Sequence, residues 1–138
     1  MKKVFKYIPI ALAIILILAL TLMNTPRNVE MSEQFRGLLV KGFSKLGMRA
    51  EGAWWNSSSG VRKLGHVIEY GLLGIGSAIA VEKKRWAILI CVGVSMLDQA
   101  VKVLVPIRHF DWTDIPFDII GAVIGILLVT VIQRVVKS

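Results

Sequence analysis

Eight ionisable side chains lie inside or at the ends of apolar runs between residues 63 and 118: the acids Glu69, Asp98, Asp114 and Asp118, the bases Lys63, Lys102 and Arg108, and His66, which titrates near neutrality. Such placements are costly. A charged residue at the centre of a bilayer costs roughly 2.5 to 3.5 kcal/mol on insertion scales, so each is a candidate functional group. Acids and bases nearly balance, as buried charges must if they persist by pairing, and a network that satisfies itself would serve helix packing alone. If the group binds something, Lys63 and Arg108 at its rim suit a phosphate or carboxylate, Arg108 through its planar fork. His66 with Glu69, Asp98, Asp114 and Asp118 has the atom types for a divalent cation, but nothing in the spacing demands one, and neither metal nor cofactor is expected. A proton relay through His66 and the acids is a further use. No nucleophile and base are paired: Ser95 is near Asp98 in sequence, but no oxyanion donors can be identified for it, and the G-x-S-x-G, H-E-x-x-H and phosphate-loop patterns do not occur.

The elements that hold these residues follow from composition. Of 138 residues 55% are hydrophobic and 19% charged, with a mean hydropathy of +0.67, too apolar for a soluble domain. The net charge of +8 comes from Lys and Arg clustered in short segments beside apolar runs, where they set topology and meet anionic headgroups, so nucleic acid is not an expected partner. Cys91 has no second cysteine to pair with and reads as a small core residue.

An all-α membrane protein is predicted, a single domain over residues 1–138 with spans at about 7–23, 64–81, 86–105 and 115–132. The first is expected to be an uncleaved helix. It has no ionisable residue between Ile8 and Met23 and so reads as an anchor or bundle wall outside any site. Residues 24–62 form a connector. Within it Met31, Phe35, Leu38, Leu39, Phe43 and Leu46 share roughly 140° of a helix, which reads equally as an extracytoplasmic interfacial helix, with Trp54 and Trp55 as headgroup anchors, or as a cap over the bundle. In the second span Lys63, His66, Tyr70, Gly74 and Ser77 share a face about 80° wide. In the fourth, Asp114, Asp118, Gly121 and Gly125 lie within roughly 60°, so the acids grade into a small-residue seam. The second span begins, the third ends and the fourth begins on the same side, which brings the polar residues together in one outward-facing pocket. The basic segments Lys2, Lys3 and Lys6, then Lys83, Lys84 and Arg85, then Arg134 and Lys137 place both termini in the cytoplasm.

Arg62, Lys63, His66, Glu69, Tyr70, Leu73 and Gly74, followed by Asp98, Pro106, Arg108, Asp114, Asp118, Gly121 and Gly125, resemble the signature of the VanZ-like family of small bacterial membrane proteins over residues 61 to 127. Three positions depart from it: Gln99 where an acid is usual, Lys102 where Gln is usual and Ile107 where Gly is usual. The resemblance implies a bacterial cell-membrane protein with four helices, associated through the family's naming member with low-level teicoplanin resistance. Its partners would be membrane lipid and a lipid headgroup, wall precursor or glycopeptide, and it does not imply an enzyme. A membrane-embedded enzyme acting on a lipid or isoprenoid-linked headgroup, or a small transporter component, are the alternatives.

Overall fold

A computed structural model describes residues 2–23, 25–106 and 108–138. Asn24, at which the connector is predicted to open, and Ile107, one of the three departures from the signature, lie outside them. All regular structure among the described residues is helical, with no strand: α1 (Lys2–Phe5), α2 (Ile8–Leu22), α3 (Thr25–Lys45), a 3₁₀ turn at Trp54–Asn56, α4 (Ser58–Ala80), α5 (Lys84–Leu104) and α6 (Asp114–Lys137).

Helices α5 and α6 are long and apolar enough to cross a membrane, and α2 with the helix after it qualifies only as a bent pair, which gives two or three candidate spans. The 15 residues of α2 reach about 22 Å, short of the roughly 30 Å of hydrocarbon. The 23 residues of α4 are long enough, but their polar and glycine content keeps the stretch below that standard. On α6, Ile120, Ile124, Leu127, Leu128 and Val131 point outward, and on α5 so do Trp86, Leu89, Met96 and Val103, a belt with no place in water.

The molecule is built on the pairing of α4 with α6. The two run parallel, and their glycines let backbone meet backbone. A Cβ on Gly121 would collide with the Val67 carbonyl, one on Gly125 with the Gly71 carbonyl, and one on Gly74 with the Ala122 carbonyl. The predicted seam thus has its partner in α4, with Gly71 as a member that periodicity alone does not single out. Helix α5 returns against both of them after the short turn at 81–83. Helix α2 lies along α4 in the opposite direction, with Pro9 against Gly76. Ala13, Ile17, Tyr70, Leu73, Cys91, Val94 and Ala122 form the shared core.

Two boundaries differ from the sequence reading. Helix α4 begins at Ser58, six residues before the predicted apolar start, because the Ser57 hydroxyl caps it by accepting the Gly60 N–H at 2.9 Å. Helix α3 occupies most of the connector, and from Pro26 onward none of its side chains is fully buried. Its Phe43 packs on Trp55 with ring centroids 4.8 Å apart, and Trp54 stacks on Phe117 of α6 at 5.8 Å, so both tryptophans join elements of the protein to one another.

Candidate functional site

The predicted face of α4 delivers His66 and Tyr70, α5 delivers Ser95, Asp98, Gln99 and Lys102, and the first turns of α6 deliver Asp114 and Asp118. These side chains fill the space between the helices as a closed cluster. Asp98, Asp114 and Asp118 are at most 2% exposed, Lys102 7% and His66 8%. The Lys102 ammonium stands 3.0 Å from Asp98 Oδ2 and 3.2 Å from Asp114 Oδ2, and so bridges two helices. His66 reaches both α6 acids: Nε2 is 3.4 Å from Asp114 Oδ2 and Nδ1 is 2.8 Å from Asp118 Oδ1. The second contact is close but not aligned as a hydrogen bond, and both of its atoms are left unsatisfied. The Ser95 hydroxyl donates to Asp118 Oδ2 at 2.6 Å.

Residues outside the predicted pocket set complete the cluster. Thr21, fully buried near the end of α2, donates its hydroxyl to Asp98 Oδ1. The first helix is therefore part of the site, contrary to its reading as a wall, because one hydroxyl suffices to satisfy a buried carboxylate oxygen. Arg62 lies 2.8 Å from Asp111 and 3.5 Å from Asp114 Oδ1, closing the outer end of the cluster. Asp111 also accepts the hydroxyl and N–H of Thr113, whose hydroxyl above all holds its carboxyl below the ordinary carboxylate range. The Gln99 amide oxygen accepts the Asp111 N–H at 3.2 Å and anchors this loop from within.

Two predicted members play other parts. Lys63 places its ammonium over the Phe117 ring, 5.1 Å from the centroid, at the rim and away from the acids. Arg108 donates from Nη1 to the Thr21 carbonyl at 2.9 Å, so one arm of its fork is engaged by the C-terminal end of α2. Asn28 caps the same end, donating to the Leu20 and Met23 carbonyls. Glu69 is half-buried and forms no ion pair among the described residues. Tyr70 is fully buried, its ring 6.4 Å from that of His66 and its hydroxyl without a hydrogen bond.

The helices and the cluster together contain the two sequence blocks, and a family model described as VanZ/LLP1 matches residues 10–133. The chain belongs to the VanZ/LLP1 family. No curated protein and no solved structure matches it. The family match takes in α2 from Ile10 onward, the helix that carries Thr21, as well as the three helices that supply the rest of the cluster. Two departures of this VanZ/LLP1 chain from the signature fall inside the cluster: Lys102 supplies its buried ammonium, and Gln99 anchors the 108–113 loop.

Proposed function

We propose that this chain is a multi-pass protein of a bacterial cell membrane and a single domain over residues 1–138. In this reading α2, α4, α5 and α6 form a four-helix unit, both termini are cytoplasmic and the cluster lies toward the extracytoplasmic face. It alters envelope properties or glycopeptide (teicoplanin) susceptibility without catalysing a reaction, in contact with membrane lipid and with a lipid headgroup, wall precursor or glycopeptide. The observation that carries this is the convergence of Thr21, His66, Asp98, Lys102, Asp114 and Asp118 from four helices on one buried cluster. Whole-segment hydropathy understates α4, because its polar residues and glycines turn inward while Ile68, Leu72 and Ile79 face out.

The phenotype is tested in a teicoplanin-sensitised host. Expression of the parent should raise tolerance, and Asp118→Asn should abolish the gain at unchanged membrane abundance. A folded, abundant parent that leaves susceptibility unchanged overturns the proposal.

Orientation is tested separately. Single cysteines at Ser58 or His109 should react with an impermeant maleimide on intact cells, with little background because Cys91 is buried. Reaction only after permeabilisation would reverse the orientation.

A further inference from the structure

We infer that His66, Asp98 and Asp118 form a binding site for one divalent transition-metal ion of the zinc or manganese type. One donor atom from each of the three lies within 4.8 Å of the other two, a spread that small side-chain adjustments can close around an ion with ligands at about 2.0 to 2.2 Å. Proximity of acids alone would mean little. What distinguishes this group is that each residue has one heteroatom held by a neighbour and a second, buried one without a hydrogen bond. Thr21 donates to Asp98 Oδ1, and Oδ2 has no hydrogen bond but faces the Lys102 ammonium at 3.0 Å. Ser95 donates to Asp118 Oδ2, and Oδ1 has none. Asp114 stands at His66 Nε2, and Nδ1 has none.

This is the arrangement of a built metal site, in which outer partners orient the ligands and a carboxylate on the far nitrogen fixes the imidazole tautomer. With an ion on Nδ1, the Nε2–H points at Asp114, and the close but misaligned contact between Nδ1 and Asp118 Oδ1 becomes two ligands of one centre. The charge also fits. Within the cluster, three buried carboxylates against the buried ammonium of Lys102 leave two negative charges for a divalent cation to neutralise. Lys102 gives up its contact with Asp98 and keeps the one with Asp114 at 3.2 Å. Imidazole with two carboxylates selects zinc, manganese or cobalt over calcium and magnesium, which take all-oxygen sets, and the lack of thiolate disfavours copper(I).

The test uses the full chain purified in detergent, stripped with EDTA and dialysed against zinc chloride, with bound zinc measured by elemental analysis. The parent should retain about one zinc per chain, the ion count such a three-ligand centre holds, and should melt at a higher temperature with zinc than without. His66→Ala with Asp118→Asn should abolish retention. Ser95→Ala, which touches a ligand without being one, should weaken affinity about 10- to 100-fold. Equal retention by parent and double variant would place the ion elsewhere and overturn the assignment. If the double variant does not fold, the parent alone decides: no retained zinc and no rise in melting temperature overturn it. Neither readout depends on teicoplanin.

Discussion

Replacing Gly121 by Leu should severely disrupt the α4–α6 pair. A Cβ at this position already collides with the Val67 backbone, and a helix carbonyl cannot turn aside as the end of a long side chain can. Relief requires the helices to part. Parting them also pulls Asp114 and Asp118, on the same face of α6, away from His66 on α4. The expected cost is about 3 kcal/mol, the upper end of overpacking penalties, with lost ion pairing added to it. Gly93→Leu is the control, because a Cβ at Gly93 meets nothing within 4 Å, and the loss of a helix glycine there should be neutral or slightly stabilising. Melting of both variants in detergent and their accumulation in the membrane check this. Equal behaviour of Gly121→Leu and Gly93→Leu would mean that the close approach of the two helices does not hold the fold.

Periodicity makes that seam legible from sequence, since four positions of α6 fall on one narrow face and pair acids with glycines. The three cluster-forming helices are legible for the same reason: their charges are too costly to face lipid and must turn toward one another. Thr21 is not legible. A lone hydroxyl in an apolar run carries no charge to mark it, and its partner Asp98 is 77 residues away. Lys63 shows the opposite failure. Its backbone position shares the face of His66, but a four-carbon stem lets the ammonium leave that direction, and the ring of Phe117 receives it. The start of α4 was obscured because an apolar run marks where a helix enters hydrocarbon, whereas the Ser57 cap marks where it begins.

The second large effect is expected at Asp98 and Lys102. Asp98→Ala removes the acceptor of the Thr21 hydroxyl and one of the two carboxylates that compensate the Lys102 ammonium. Breaking a buried pair from one side leaves an uncompensated charge and typically costs about 3 to 5 kcal/mol. Lys102→Met alone leaves Asp98 and Asp114 facing each other without their shared cation, and should cost a similar amount. In the double variant the ammonium and one of its acids leave together, so the losses should fall short of their sum by about 0.5 to 3 kcal/mol, the range for residues in direct contact. Asp98→Asn separates charge from shape: the amide oxygen can still accept from Thr21, so it should lose less stability than Asp98→Ala and still accumulate, while losing the teicoplanin phenotype. Melting of the four stability variants, parent included, checks the coupling, and susceptibility at matched abundance checks the phenotype. Strict additivity of Asp98→Ala and Lys102→Met would show that the 3.0 Å contact between them carries no energy. An Asp98→Asn protein with full phenotype would show that the cluster acts only as scaffold, since the charge itself would then be dispensable.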